Sequence, residues 1–389
     1  MDFMENNINR KGSVAALYAS FFLIGITVTV YGPTINYLMK DYNISMGKAS
    51  LFVTFMSMGR TLSVLASGIL SDKAGRKPIL FGGTLCLTLG LLGIGTLSWY
   101  TGGLIFAVIA GVGHGMLDTS ASAAISDLYP EKMSRALNRL HMFFGIGCLI
   151  GPIISGSMLA LGCNWRYIYL VNAIIGLLIT IFIWFQSFPQ TQNVQTSDAG
   201  KGHFIISSTV IALGLILFIY SGVGQSINTW INKYMGDVVN FPIFFAAGTL
   251  AIYNLGITLG RLFSSFISEK IGYYRWILYA SIGSLVGIVM AFMAGVGIII
   301  VIGLFITGFF FGGLFPTVIA IAGNIYPNNK GAITGGLVTI AAIGSMSVPA
   351  IIGFMSQDRS LQSSVKWLMA LVALMVIIVS IMQYKKKEN

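Results

Sequence analysis

The sequence predicts an all-α membrane protein, with twelve transmembrane helices arranged as two pseudo-symmetric six-helix bundles. Three observations predict it. Hydrophobic residues make up 56% of the 389 residues and charged residues only 9%, with a mean hydropathy of +0.83, whereas a soluble domain carries about a quarter charged residues. Apolar runs of about 20 residues recur, the length that crosses roughly 30 Å of hydrocarbon. The chain also repeats itself at a constant offset of 197. Asp72 maps to Glu269, Gly75 to Gly272, Gly111 to Gly308, Gly115 to Gly312, Tyr129 and Pro130 to Tyr326 and Pro327, Pro152 to Pro349 and Gly156 to Gly353. That period is far longer than any solenoid unit, so it reads as two homologous halves.

The spans follow in order at about 14–39, 49–71, 78–98, 101–128, 137–161, 166–187, 204–232, 242–268, 275–296, 298–325, 331–356 and 364–384. The halves are residues 1–187 and 204–389. Residues 188–203 between them are polar, with Pro189, Gly200 and four Gln or Asn residues, and read as a cytoplasmic linker. The 47 glycines fit close helix packing, because small residues let backbones approach in lipid.

Charge sets the expected orientation. With both termini inside, the inner segments hold 15 Lys and Arg residues and the outer segments 6. The excess predicts cytoplasmic termini in a cell membrane by the positive-inside rule. The net charge of +11 is then explained by inner loops beside anionic lipid and requires no nucleic acid. A polar start followed by a full-length span predicts no cleaved signal peptide.

The same survey argues against chemistry of other kinds. Cys148 in span 5 and Cys163 just past its end lie 15 residues apart, roughly 22 Å along the helix axis, too far to pair. No Cys/His spacing suggests a metal. No loop is long enough for a catalytic module, and none cradles a phosphate. The expectation is a protein that is not an enzyme, needs no cofactor or metal, and works as a monomer.

Charged side chains inside lipid are costly and tend to be functional. Asp118 lies nine residues before Asp127 on span 4, so about 13 Å deeper, near the midplane. His114 is one turn away on the same face. Arg60 is in the middle of span 2. These three form the candidate proton-coupling set, with a structural salt bridge from Asp118 to Arg60 or His114 as the alternative reading. Asn138 and His141 make a polar face at the start of span 5 and join the candidate substrate set, although His141, expected to be shallowly buried there, reads first as a satisfied packing histidine.

Span 7 carries a polar stripe of Tyr220, Gln225, Asn228, Trp230 and Asn232. Amides both donate and accept towards hydroxyls, and an indole can stack on the apolar face of a sugar ring. Tyr31 on span 1 and Asn254 on span 8 extend the candidate substrate set. The competing reading is amides bridging helices as packing glue. Neutral amides on both halves suit a neutral polyhydroxy ligand.

The segment between spans 2 and 3 holds Gly68, Asp72, Gly75, Arg76 and Lys77, followed by Pro78. It resembles the signature loop of the major facilitator superfamily. That resemblance implies the two-bundle fold and alternating access. It also implies a gating role for the loop, its acid docking across the halves, with Asp127 as partner of Arg76. The run of Gly111, Gly113, His114, Gly115, Asp118 and Thr119, then Asp127 to Pro130, Asn138, His141, Gly145, Gly147, Gly151 and Pro152, is similar to the fucose permease-type sugar–proton symporters. The stretch from Gly312 to Thr317 is similar as well. In that family an acid on helix 4 couples the proton, and it falls on Asp118. The resemblance implies proton-coupled import of a hexose-like sugar. Fucose permease carries a second acid in its first helix, and span 1 here has none. Gly147, Gly151, Pro152 and Gly156 also resemble the helix 5 motif of drug–proton antiporters, with Ser155 replacing a glycine, which leaves proton-coupled efflux of a drug or metabolite as the alternative.

Overall fold

The computed structural model describes residues 10–188, 207–326 and 330–388. Among these residues every regular element is helical. The first half contributes α1 (Arg10–Asp41), α2 (Met46–Ala74), α3 (Arg76–Thr96), α4 (Tyr100–Leu128), α5 (Met133–Ala160) and α6 (Trp165–Trp184). The second contributes α7 (Ser208–Asp237), α8 (Ile243–Ile271), α9 (Tyr273–Met293), α10 (Gly297–Gly312), α11 (Leu314–Ile325), α12 (Lys330–Asp358), α13 (Leu361–Val365) and α14 (Trp367–Glu388). Twelve segments are long and apolar enough to cross a membrane.

Local chemistry moves several expected boundaries. Residues 204–206 of the expected seventh span lie outside the described residues, and its helix starts at Ser208, where the Ser207 side chain caps it by accepting from Val210 N at 3.3 Å. It runs on to Asp237, where Lys233 pairs with Asp237 one turn later at 2.6 Å. The ninth stops at Met293, before Gly295 at φ +66°. The tenth span is not one helix. Pro316 has no N–H to return to Gly312, and the helix breaks at Gly313 between α10 and α11. The linker expected at 188–203 falls, but for Phe188, outside the described residues, as does Pro327 of the repeat.

The chain divides into two compact units, one built on α1–α6 and the other on α7–α14, with residues 45–50 grouped with the second. Each unit repeats one packing scheme. In the first, α1 packs on α5 and α6, and α3 on α4 and α6. In the second, α7 packs on α12 and α14, and α9 on α10 and α14.

The helix crossing that carries the candidate site is repeated almost atom for atom. A Cβ at Gly59 on α2 would run into the carbonyl oxygen of Val108 on α4, and a Cβ at Gly111 into that of Met56. Each of these four positions plus 197 gives the contacts in the second unit: Gly256 against the Phe305 carbonyl, and Gly308 against that of Tyr253. Only glycine permits this approach, so both halves fix the same two helices backbone to backbone.

Candidate functional site

The α2–α4 crossing decides what faces what. Arg60 directly follows Gly59, and Asp118 lies one turn beyond Gly115. The guanidinium of Arg60 donates to Asp118 Oδ2 from Nε at 3.1 Å and from Nη2 at 2.5 Å. His114, one turn back on α4, brings its Nε2 to 3.6 Å of the same oxygen, too long for a hydrogen bond. The Arg60 side chain is 49% exposed, that of Asp118 21%, and that of His114 is buried. The carboxylate therefore lies between an accessible cation and a buried imidazole.

The second unit carries no copy of this ion pair. The positions 197 further on are Ile257, Phe311 and Phe315 for Arg60, His114 and Asp118. There Tyr220 of α7 lies against Phe311 and Phe315, with ring centroids at 5.3 and 6.2 Å. The same backbone scaffold thus presents charge in one half and aromatic surface in the other.

On α7 the partly exposed positions Tyr220, Ser221, Gly224, Gln225 and Asn228 form one stripe between buried neighbours. Asn228 donates to Gly224 O at 2.9 Å, and Asn254 of α8 donates to Asn228 Oδ1 at 3.3 Å and to Leu250 O at 3.0 Å. Two residues expected on the stripe are not on it. Trp230 is 1% exposed and its indole donates to Pro349 O at 3.0 Å, so its ring faces fill the α7–α12 contact and offer no stacking surface. Asn232 is 7% exposed, and neither amide atom has a partner among the described residues.

The remaining expected site residues are spread through the first unit. Tyr31 stacks on Phe52 with centroids 6.2 Å apart. Asn138 and His141 are exposed on α5, and His141 meets the Phe21 ring edge-on at 5.2 Å, so the shallow burial expected of it is corrected. At the α2–α3 junction Gly75 takes φ +89°, as does Gly272 in the second unit, a conformation that favours glycine. Arg76, buried, donates to Asp127 Oδ2 at 2.8 Å, to Asp72 Oδ1 at 2.6 Å and to Ser71 Oγ at 3.1 Å. Asp72 is thus engaged inside its own unit. Lys77 lies over the Trp184 ring at 5.8 Å. Gly68 is only in ordinary van der Waals reach of Thr119.

Sequence reasoning missed Tyr253. It is 0% exposed on α8, and its hydroxyl has no partner among the described residues. The repeat held the signal, because Tyr253 stands where the first half has Met56.

Comparison with known proteins agrees with this architecture. The family model for the Major Facilitator Superfamily matches residues 17–297 and 246–388. The glucose/mannose transporter GlcP of Bacillus subtilis (strain 168) is 24% identical over 371 residues, 90% of each chain. The multi-drug resistance efflux pump PmrA homolog of Lactococcus lactis subsp. lactis (strain IL1403) is 25% identical over 382 residues, 89% of this chain and 91% of its own. Among solved structures, a D-xylose-proton symporter matches with a TM-score of 0.77 at 15% identity, covering 95% of this chain and 97% of that one, a likeness of fold. With twelve membrane-capable helices in two units of the same design, the chain belongs to the Major Facilitator Superfamily, and it is a multi-pass membrane transporter and not an enzyme.

Proposed function

We propose that the protein is a proton-coupled sugar symporter and that Asp118 is the group that carries the proton. The observation that supports this most is the state of its carboxylate. An ionised side chain in a lipid-spanning helix persists only with a partner. Asp118 has one, Arg60, and both Arg60 contacts use Oδ2. Oδ1 accepts no hydrogen bond from any described residue and is the oxygen open to a proton. Protonation cancels the negative charge and weakens the tie to Arg60. Deprotonation restores it. A carrier that exposes Asp118 alternately to the two sides of the membrane then moves one proton per cycle.

The sugar half of the reading rests on chemistry and on relatives. Tyr220, Gln225 and Asn228 on α7 with Asn254 on α8 are neutral groups that donate and accept towards hydroxyls. A relative transports glucose and mannose, and a protein of the same fold is a D-xylose-proton symporter. Both termini are taken as cytoplasmic on the excess of inner basic residues. Proton-coupled efflux is the second reading, favoured by the 25% identity to a multi-drug efflux pump homolog.

The test is reconstitution into liposomes with an imposed pH gradient, acid outside. Labelled D-glucose, D-mannose and D-xylose should accumulate inside, and sugar addition without a gradient should acidify the lumen. No accumulation of any of the three, together with proton-driven movement of a cationic dye in the opposite direction, would replace symport with efflux.

A further inference from the structure

We propose that the Tyr253 hydroxyl is a specificity-determining contact, hydrogen-bonded to one particular hydroxyl of the transported solute. The inference rests on the sugar reading above and assigns a residue that reading does not need. Four observations carry it.

First, the hydroxyl is buried and unpartnered: Tyr253 is 0% exposed and its Oη finds no partner among the described residues. A buried polar group without a partner costs stability, so it calls for an explanation.

Second, the fold does not require it. The α8–α10 crossing that holds Tyr253 is the twin of the α2–α4 crossing, and there the same backbone position is Met56, whose carbonyl meets Gly111 as that of Tyr253 meets Gly308. An apolar side chain satisfies this scaffold. The hydroxyl is an addition in the second half alone.

Third, the oxygen ends at a notch. A Cβ at Gly224 of α7 would stand 3.3 Å from Tyr253 Oη. Gly224 belongs to the partly exposed stripe, one turn from Tyr220 and one turn from Asn228. The hydroxyl thus comes up behind the stripe at the one position with no side chain in front of it. A solute oxygen seated over Gly224 falls within hydrogen-bond reach of Oη.

Fourth, the surroundings fix the chemistry of the solute. The next residue, Asn254, is bonded to Asn228 at 3.3 Å, and α7 carries no ionisable Lys, Arg, Asp or Glu from Ser208 to Asn232. The positions equivalent to Arg60, His114 and Asp118 are Ile257, Phe311 and Phe315. Arg261, the nearest cation on α8, lies eight residues beyond Tyr253, about 12 Å along the helix axis, so the group bound over Gly224 is neutral, with a hydroxyl that both donates and accepts and an apolar face for Tyr220 and Phe315.

The experiment is equilibrium exchange in liposomes at equal pH on both sides, so that proton coupling plays no part. Wild type, Tyr253→Phe and Gly224→Ala are compared on D-glucose and its 1-, 2-, 3-, 4- and 6-deoxy analogues. In wild type one analogue should exchange worse than the parent sugar. In Tyr253→Phe the half-saturation concentration for D-glucose should rise about tenfold, the loss of one hydrogen bond, while that one analogue is unaffected. Gly224→Ala, with the tyrosine kept but the notch filled, should lose the same discrimination. Identical exchange of all six sugars by wild type and Tyr253→Phe, with a higher melting temperature in the variant, would make the hydroxyl a mere unpaired group and overturn the assignment. Exchange of none of the six by wild type would remove the sugar reading itself, and the assignment with it.

Discussion

Arg60 gives both of its hydrogen bonds to a single oxygen of Asp118, at 3.1 and 2.5 Å, and leaves the other carboxylate oxygen without a partner among the described residues. A purely structural pair would gain more from the two-pronged geometry that a guanidinium and a carboxylate can adopt. Asp118→Asn keeps the size of the side chain and an acceptor for Arg60 but cannot exchange a proton. The expected outcome is loss of accumulation, with the inside-to-outside ratio falling to about one, while solute exchange persists, because exchange needs no net proton movement. Accumulation equal to wild type under the same pH gradient would remove Asp118 from the coupling role.

The repeated glycine crossings predict twin mutants. Gly111→Ala drives a methyl group into the carbonyl of Met56, and Gly308→Ala drives one into the carbonyl of Tyr253. Overpacking against backbone costs about 1–3 kcal/mol, since a carbonyl inside a helix cannot turn aside. Both variants should melt at lower temperature than wild type in detergent, by similar amounts. A large drop for one and none for the other would mean that the two crossings are not equivalent in energy, whatever their geometry.

Much of this architecture was legible in the sequence, and the illegible part has a common cause. Hydropathy and length found the spans, because lipid demands about 20 apolar residues of each. The 197-residue offset aligned the crossing glycines of α2–α4 with those of α8–α10, because the glycines that permit backbone contact cannot drift without breaking it. The pairing of Arg76 with Asp127 was legible only through the resemblance of the α2–α3 loop to the superfamily's signature loop, since Asp127 stands two helices on, at the end of α4. Faces were harder. A helix in an apolar surrounding is apolar nearly all round, so periodicity does not tell which side is buried. Trp230 was therefore taken as a stacking surface when it is core, and Tyr253 was overlooked. The α10–α11 break escaped for another reason: Pro316 inside a span signals a kink, but where the chain resumes its helix depends on packing around Gly313, where a Cβ would meet Ser264 and Trp276.

The junction of α2 and α3 yields a prediction on stability. Arg76 is buried, and its guanidinium is held by Asp127, Asp72 and Ser71. Asp72 is well exposed at 63%, so its carboxylate stays hydrated while it accepts from Arg76, whereas Asp127 at 33% is better shielded. Asp127→Asn removes the charge from the stronger of the two acceptors and should cost about 1.5–3 kcal/mol. Asp72→Asn should cost less, since exposed pairs contribute little. Thermal unfolding of both variants, at low and high salt, checks the order. An equal or reversed order would mean that Asp72 has a partner stronger than Arg76.

Trp230 is the residue on which the two views of α7 differ most, and one conservative substitution separates them. Its ring is 1% exposed, and its only polar atom donates to Pro349 O on α12 at 3.0 Å. Trp230→Phe keeps an aromatic ring in the α7–α12 contact but removes the N–H and part of the ring. If Trp230 is packing, the variant loses one hydrogen bond of about 1 kcal/mol plus a small cavity term. It then melts lower than wild type while its half-saturation concentration for the transported solute stays the same. If the indole instead stacked on the solute during part of the cycle, the half-saturation concentration would rise with little loss of stability. The burial and the bond to Pro349 predict the first pattern, because a side chain that must leave its packing to touch a solute would first have to break that bond and open the contact between α7 and α12.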